Sequence, residues 1–300
     1  MRILVTGAGG FLGSAFTRCA LQRGHTVLGL LLPDEPPPAK LPADGAAVWL
    51  RGTLADAPWV ELRCARPEVC VHFAWIATPG VYLEAPENED FLRWSLDFIR
   101  RVCDLGVAHV VGVGTCIEYR MTGRPLLEDS TPVEPTTRYA RCKNALREAL
   151  AAQAARQGWQ LGWGRVFYPY GVGEHPARLC STIARQLARG EKLLLRTPDS
   201  TKDYIYVEDL AEAILLTVER RYAGVINWGT GVGVTVKHLA DTLAGLLGRP
   251  DLIEVAPDRQ PDPFNYVVAD AGRLRNLGWQ PRHSLVDGLR KLVQAVRPPG

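Results

Sequence analysis

The fold is decided at the start of the chain, where Met1-Arg-Ile-Leu-Val-Thr-Gly7-Ala-Gly-Gly10-Phe-Leu-Gly13 joins an apolar run to spaced glycines. The run Arg2–Thr6 has the composition of a buried strand, and the residues after the glycines have helical periodicity. Glycines suit such a turn because the backbone must bend tightly, approach a pyrophosphate and let the helix pack against the strand. This context favours a dinucleotide site over a merely structural tight turn. We expect Gly7, Gly10, Phe11, Leu12 and Gly13 to contact the cofactor.

The same alternation of short apolar runs with amphipathic helical stretches continues through the first half of the chain. This rhythm is typical of an α/β fold with a Rossmann-type, doubly wound parallel sheet. Predicted strands are Arg2–Thr6, Thr26–Leu31, Ala46–Arg51, Val69–Ala74, His109–Gly114 and Gly162–Phe167. Predicted helices include Phe11–Arg23, Glu87–Leu105 and Thr137–Gln157.

The rhythm loosens after residue 167, where a Pro- and Gly-rich stretch leads into shorter elements. We predict a dinucleotide-binding domain over residues 1–167, to which residues 204–229 return with strands at Tyr204–Val207 and Val225–Trp228. Residues 168–203 and 230–300 are predicted to form a smaller, mixed, substrate-binding lobe. Within that lobe, Thr235 and Asp270 are predicted helix N-caps.

The composition excludes several classes of protein. The chain has 300 residues with 35 basic and 32 acidic side chains, giving a net charge of +3. Because these charges are interspersed, no basic stripe indicates nucleic acid or an anionic membrane as partner. Seven cysteines without a CxxC pair indicate reduced thiols and no structural metal site. The start lacks the pattern of a signal peptide, so we expect a cytoplasmic protein.

A second motif, Tyr139-Ala-Arg-Cys-Lys143, places a phenol and an ammonium four residues apart. On a helix this spacing puts both side chains on one face. The cation would favour the phenolate and could hold a nicotinamide ribose, which suits a proton donor for a carbonyl. Alone, the pattern also fits an exposed aromatic and lysine. Its meaning comes from the order of glycine motif, Thr115 at a strand end, and then this helix.

Together these parts resemble the extended short-chain dehydrogenase/reductases, specifically the NAD-dependent epimerase/dehydratase family that acts on nucleotide sugars. Gly114-Thr-Cys-Ile-Glu-Tyr119 is similar to that family's Ser-Ser/Thr-x-x-Val-Tyr. Arg165-Val-Phe-Tyr-Pro-Tyr-Gly171 is similar to Arg-x-x-Asn-x-Tyr-Gly, and Lys202-Asp-Tyr-Ile-Tyr-Val-Glu-Asp209 to Arg-Asp-Phe-x-Tyr-Val-x-Asp. Asn227-Trp-Gly229 and Leu277-Gly-Trp-Gln-Pro281 match further landmarks, so the resemblance covers nearly the whole chain.

The resemblance implies a role for each of three catalytic residues. Thr115 would hydrogen-bond the sugar oxygen, Tyr139 would transfer the proton, and Lys143 would tune the tyrosine and hold the cofactor. Dehydratases of the family carry an Asp-Glu pair after the threonine, where this chain has Cys116 and Ile117. Dehydration is therefore disfavoured, which leaves keto reduction, most readily at C4, or epimerisation through a keto intermediate.

Cys116 itself has two interpretations. It could act as an acid/base beside the keto group, with His175 as the partner that lowers its pKa. The competing interpretation, which we favour, is a small buried side chain.

The resemblance also implies where ligands bind. Tyr168, Arg178, Lys202 and Arg259 would line the nucleotide-sugar site. Ala74 begins the loop that lines the cofactor, and we favour ordinary packing for Trp75 and Tyr82 in that loop.

The cofactor is NAD or NADP. The end of the second strand reads Leu30-Leu-Leu32, without the carboxylate or basic residue that usually reads the ribose. Asp34 and Glu35 follow and could repel a 2′-phosphate, which favours NAD slightly.

Two alternative functions stay open: a catalytically silent NAD(P)-binding regulatory protein, and a reductase of a non-sugar carbonyl. Because relatives commonly dimerise through the two long helices, we expect a homodimer whose interface is formed by Glu87–Leu105 and Thr137–Gln157.

Overall fold

The structure is a computed structural model that describes residues 1–296. Its main sheet has seven strands in the spatial order β3-β2-β1-β4-β5-β6-β11. The elements up to the sixth strand are β1 (Arg2–Thr6), α1 (Phe11–Gln22), β2 (Thr26–Leu31), β3 (Ala47–Arg51), α2 (Trp59–Ala65), β4 (Val69–His72), α3 (Glu87–Asp104), β5 (His109–Thr115), a 3-10 turn (Cys116–Glu118), α4 (Arg138–Gln157) and β6 (Gln160–Val166).

The remaining described residues form shorter strands and five helices. They are β7 (Tyr168–Tyr170), α5 (Leu179–Ala188), β8 (Leu193–Leu195), β9 (Thr201–Lys202), β10 (Tyr204–Tyr206), α6 (Val207–Glu219), β11 (Gly224–Trp228), β12 (Val234–Thr235), α7 (Val236–Leu247), a 3-10 turn (Pro250–Leu252), β13 (Ile253–Val255), β14 (Tyr266–Val267), α8 (Gly272–Asn276) and α9 (Leu285–Val296). No helix within residues 1–296 combines the length and the hydropathy needed to cross a membrane.

The predicted α/β fold with a Rossmann-type parallel sheet is confirmed. β1 lies between β2 and β4 and pairs in parallel with both, so that Leu4 is in register with Leu28 and Cys70. The middle strands are mainly apolar because helices cover both faces of such a sheet, and polar residues stand at their ends. In α3, Phe98 and Ile99 are fully buried and provide part of that cover.

β5 carries two glycines because a large side chain from β6 lies across them. A Cβ at Gly112 would come within 2.5 Å of the Trp163 ring, and one at Gly114 within 2.7 Å of the same ring. Trp163 is itself 1% exposed. The pairing of two glycines with one tryptophan gives this part of the sheet its packing.

One predicted return to the main sheet is wrong. The segment predicted as the strand Tyr204–Val207 forms β10, which pairs in parallel with β7 in a separate two-stranded sheet. The strand predicted at Val225–Trp228 does join the main sheet, as β11 next to β6. Both segments are short and apolar, and composition alone does not distinguish their pairing partners.

The chain divides into two compact units whose boundaries differ from the predicted domains. The first unit contains residues 1–118, 133–165 and 211–226, and the second contains residues 119–132, 166–210 and 227–300. Residues 119–132 belong to the second unit because they bond to its other segments. The Tyr119 hydroxyl donates to Asn227 Oδ1 over 2.8 Å, and the Leu126 N–H donates to the Val268 carbonyl over 2.8 Å.

The two predicted N-caps, Thr235 and Asp270, can be compared with the observed helix ends. The Thr235 hydroxyl accepts the His238 N–H and caps α7, as predicted. Asp270 is one residue too early, because Ala271 occupies the N-cap of α8. The Asp270 carboxylate still accepts the Gly272 N–H over 2.8 Å, so it satisfies a donor at that helix start.

Candidate active site

The glycine turn lies between β1 and α1 and is packed too closely for side chains. Gly7 has a φ of +65°, and a Cβ there would meet the backbone nitrogen of Ala74 at 3.0 Å. A Cβ at Gly13 would collide with the Gly7 carbonyl group, whose carbon lies 2.9 Å away. Gly10 is the N-cap of α1 and supplies no side-chain hydrogen bond. The first N–H groups of this helix therefore have the arrangement that binds a phosphate anion.

A buried hydrogen-bond network fixes the residue that follows β4. The Thr6 hydroxyl accepts the Ala74 N–H over 3.2 Å and lies 2.9 Å from His72 Nδ1. His72 Nε2 lies 2.9 Å from the Ser95 hydroxyl. Burial, with the nearby Lys143 charge as a second cause, lowers the pKa of His72 to about 3. The imidazole is therefore neutral, and the network holds Ala74 against Gly7.

Lys143 is a lysine buried inside the first unit. It is 2% exposed, and its Nζ donates to the Val113 carbonyl of β5 over 2.9 Å. The ammonium also lies 4.0 Å from the centroid of the Trp75 ring, a cation–π distance. Burial lowers the pKa of Lys143 to about 7, while the Glu118 carboxylate opposes this shift. Lys143 is thus a cation near the point of losing its proton at neutral pH.

Tyr139 lies in the first turn of α4 and is partly buried. The Thr137 hydroxyl caps this helix, because it accepts the Ala140 N–H over 3.2 Å. The Lys143 ammonium lies 5.9 Å from the centroid of the Tyr139 ring, so the two side chains share one helix face, as predicted. The Tyr82 ring packs edge-on against the Tyr139 ring with a centroid separation of 4.9 Å.

Trp75 and Tyr82 each contact one member of the Tyr139/Lys143 pair, although we expected ordinary packing. Asn88, which is fully buried, holds both aromatic residues. Its Oδ1 accepts the Trp75 indole N–H over 2.8 Å, and its Nδ2 donates to the Tyr82 carbonyl over 2.7 Å. The loop after β4 is thereby tied to the start of α3.

Thr115 ends β5, and Cys116 begins the 3-10 turn that follows. Both are largely buried, at 8% and 4% exposure. The Thr115 N–H donates to Glu118 Oε1 over 2.9 Å. His175, the expected partner of Cys116, lies in the second unit, where its Nδ1 accepts the Ala177 N–H over 3.1 Å. The chemical role of Cys116 stays a prediction.

The second unit holds the four predicted substrate residues. Lys202 is 5% exposed, and its Nζ donates to Asp262 Oδ2 over 2.8 Å and to the Phe264 carbonyl. The same ammonium lies 5.4 Å from the centroid of the Tyr168 ring. Lys202 is therefore not a free surface cation, because Asp262 already balances its charge.

The other two predicted substrate residues, Arg178 and Arg259, have different surroundings. Arg178 is the N-cap of α5 and is partly buried. Arg259 forms an exposed ion pair with Asp199. Such exposed pairs are worth little in free energy, so Arg259 can exchange Asp199 for another anion at small cost.

Glu35 lies against the glycine turn. Its Oε2 accepts the Leu32 N–H over 3.1 Å, and its Cδ would be 2.6 Å from a Cβ at Gly9. Arg51, at the end of β3, donates to the Leu32 carbonyl over 3.1 Å and secures the same loop. The Glu35 carboxylate consequently lies beside the glycine turn, although no carboxylate directly follows β2.

A protein-family model, described as the NAD dependent epimerase/dehydratase family, matches residues 3–229. The chain belongs to this family. The UDP-glucose 4-epimerase of Corynebacterium glutamicum is 29% identical over 98% of this chain and 94% of its own length. The dTDP-6-deoxy-L-talose 4-dehydrogenase of Kitasatospora kifunensis is 28% identical over 98% of this chain and 95% of its own length. Two family members with different reactions are therefore almost equally similar to this chain.

A family member of known structure matches along the whole chain. The crystal structure of the Thermus thermophilus UDP-glucose 4-epimerase in complex with NAD superposes with a TM-score of 0.84. It is 26% identical and covers 99% of each chain. The match confirms the Rossmann-type fold and the family resemblance inferred from the glycine and YxxxK motifs.

The sequence interpretation missed three buried polar residues near the Tyr139/Lys143 pair and Thr115: His72, Asn88 and Glu118. His72 ends the otherwise apolar strand Val69–His72, and Glu118 stands where the family pattern has valine. A polar side chain at an apolar position was the available signal in both cases. Asn88 lies in the acidic first turn of α3, where nothing in the sequence separates it from a solvated residue.

Proposed function

We propose that this protein is an NAD-dependent enzyme that acts on a nucleotide-diphosphate sugar. Its reaction would be reduction of a 4-keto group or epimerisation through a keto intermediate. The observation that carries the proposal is the buried Lys143, fixed to β5 two residues before Thr115 and sharing a helix face with Tyr139. A buried cation is costly, and it is expected where chemistry requires it.

The glycine turn fits a dinucleotide. Gly7, Gly10, Phe11, Leu12 and Gly13 would hold the pyrophosphate, and the three glycines, which lack side chains, would let it approach the backbone N–H groups at the helix start. Ala74 would line the nicotinamide side, and Lys143 would hold the ribose. When bound, the dinucleotide supplies the hydride acceptor or donor. Glu35 beside Gly9 would repel a 2′-phosphate, which supports NAD over NADP.

In this proposal the protein's own groups move one proton. Tyr139 would exchange it with the sugar hydroxyl that becomes, or was, a carbonyl. Thr115 would hydrogen-bond the same oxygen and orient it. The Lys143 cation would stabilise by electrostatic attraction the negative charge that develops on the Tyr139 oxygen when the proton moves. Ile117 stands at the second position of the Asp-Glu pair that dehydratases carry and cannot transfer a proton, which is why dehydration is disfavoured.

The second unit would bind the nucleotide diphosphate through Tyr168, Arg178, Lys202 and Arg259. An incoming diphosphate would compete with Asp262 for the Lys202 ammonium and with Asp199 for Arg259. Arg259 would exchange partners easily, because both members of its ion pair are exposed.

A homodimer through α3 and α4 is also proposed. These two helices pack against each other, and α3 exposes Trp94, at 37%. Sedimentation equilibrium would test it, since a monomeric protein would refute this assembly.

A cytoplasmic location, inferred from the reduced cysteines, stays a prediction.

The test of function is turnover of purified protein with UDP- and dTDP-linked hexoses and 4-keto-hexoses, with NAD(H) or NADP(H). Interconversion of 4-epimers without added cofactor would identify an epimerase, whereas stoichiometric NADH consumption with a keto sugar would identify a reductase. A regulatory protein would bind NAD(H) and turn over none of these. Turnover of simple ketones alone would identify a non-sugar reductase.

A further inference from the structure

A buried carboxylate lies three residues after Thr115 and has no part in the mechanism above. Glu118 closes the 3-10 turn Cys116–Glu118 and is fully buried. The family pattern described for this segment has valine at the same position. Relative to that pattern, this chain has an ionisable group at a buried position.

The Glu118 carboxylate is held on both oxygens. Its Oε1 accepts the Thr115 N–H over 2.9 Å, and its Oε2 accepts the Arg165 Nε–H over 2.7 Å. The Trp163 indole nitrogen lies 3.3 Å from each oxygen. A Cβ at Gly114 would come within 2.5 Å of Oε1, so the glycine makes room for this group. Donors from three residues therefore fix the position of the carboxylate, and Gly114 leaves room for it.

Stability alone does not account for this arrangement. Burying an ion pair costs desolvation that the attraction between the charges often fails to exceed, so apolar residues of equal volume serve stability as well. Glu118 and Arg165 are both excluded from solvent, with side chains 0% and 1% exposed. An apolar residue at position 118 could not accept the hydrogen bond that the Thr115 N–H donates to Glu118.

The charge of Glu118 also acts on Lys143. The groups facing the Lys143 ammonium are the Val113 carbonyl, the Trp75 ring, the Tyr139 ring and the neutral His72. Glu118 binds the Thr115 N–H and Lys143 binds the Val113 carbonyl, so both groups are attached to the end of β5, two residues apart. The Glu118 carboxylate accordingly opposes the effect of burial on the pKa of Lys143. Without it, this lysine would lose its proton at a lower pH.

We propose that Glu118 is a positioning residue of the catalytic centre, which fixes the Thr115 peptide and stands as the counter-charge of Lys143 at the same end of β5. The inference rests on the proposed function of Thr115 and Lys143. It assigns to Glu118 no contact with substrate or cofactor.

The decisive variant is Glu118→Gln, which keeps the size of the side chain and removes its charge. Lysine labelled with 13C at Cε would report the protonation midpoint of Lys143 by NMR, with Lys143→Met used to assign the signal. We expect a midpoint near pH 7 in the wild type and about one pH unit lower in the variant. At pH 7 the charged fraction, and with it kcat, would then fall about fivefold and recover near pH 6.

Trp163→Phe is the matched control, because it removes a hydrogen bond to Glu118 and leaves the charge in place. It should lower stability without moving the lysine midpoint or the pH profile of kcat. An unchanged midpoint in Glu118→Gln, or an equal shift in Trp163→Phe, would overturn the proposal.

If Glu118→Gln does not fold, Glu118→Asp provides the second test. It keeps the charge and withdraws it from the Thr115 amide, so the lysine midpoint should remain near that of the wild type while kcat falls at every pH. Unchanged kcat in that variant would refute the positioning role. The NMR titration needs no turnover, so it judges Glu118 even if no nucleotide sugar proves to be a substrate.

Discussion

Replacing Lys143 with methionine should stabilise the folded protein while abolishing its catalysis. The lysine is buried, and its pKa falls from an ordinary 10.5 to about 7. At about 1.36 kcal/mol per pH unit, the difference of 3.5 units corresponds to about 5 kcal/mol of cost for keeping the charge inside. Methionine avoids this cost but leaves the Val113 carbonyl without its donor, which costs about 1–3 kcal/mol. We therefore expect a net gain of about 2–4 kcal/mol at pH 6.

The dependence of this gain on pH identifies its cause. Because the folded-state pKa of Lys143 lies below the unfolded-state pKa, the unfolded wild type binds more protons between pH 7 and 10.5. Wild-type stability should rise with pH across that window and be lowest, with respect to this group, below pH 7. The advantage of Lys143→Met should therefore be full at pH 6 and shrink steadily as the pH rises above 7.

Urea unfolding of both proteins at several pH values between 6 and 10 measures this difference. Lys237→Met is a suitable control, since Lys237 is half-exposed and forms only a surface ion pair with Asp241. That variant should differ from the wild type by less than about 0.5 kcal/mol at each of these pH values. The reasoning would be refuted if Lys143→Met were less stable than the wild type at pH 6, or if its advantage did not change with pH.

Further substitutions test the other parts of the site. Tyr139→Phe should lower kcat about 10²–10⁴-fold with little change in NAD affinity, measured by steady-state kinetics and cofactor fluorescence. Gly13→Ala should abolish NAD binding in calorimetry, since its Cβ collides with the Gly7 carbonyl group, and lower stability by about 1–3 kcal/mol. Glu35→Gln should raise NADP affinity relative to NAD; an unchanged ratio in competition binding would exclude Glu35 as the discriminating group. Lys202→Ala should raise the KM for the nucleotide sugar more than that for NAD(H), and equal effects would place this lysine elsewhere.

The first half of the fold could be predicted because its signals are local. The glycine turn, the strand β1 and the position of Tyr139 and Lys143 on α4 each depend on residues adjacent in sequence. Strand and helix ends in this half deviate from prediction by at most two residues.

The incorrect predictions of strand pairing and domain boundaries concern contacts between segments that are distant in sequence. β10 was assigned to the main sheet, but its partner is β7, and the pairing depends on contacts between segments more than 30 residues apart. Residues 119–132 were assigned to the first domain, yet they bond to residues 227 and 268. The partner of Lys202, Asp262, is likewise distant in sequence and is seen only in the structure, while the substrate-binding role of Lys202 stays a prediction.

The close packing of Trp163 over the two glycines of β5 constrains how this sequence can change. A serine at position 114, as in the family pattern, would collide with both Trp163 and Glu118, so it becomes tolerable only after those side chains have been replaced. An alanine at position 112 likewise requires a smaller residue at 163. These positions should therefore covary among close homologues. Substitutions made singly should be far more damaging than the same substitutions made together.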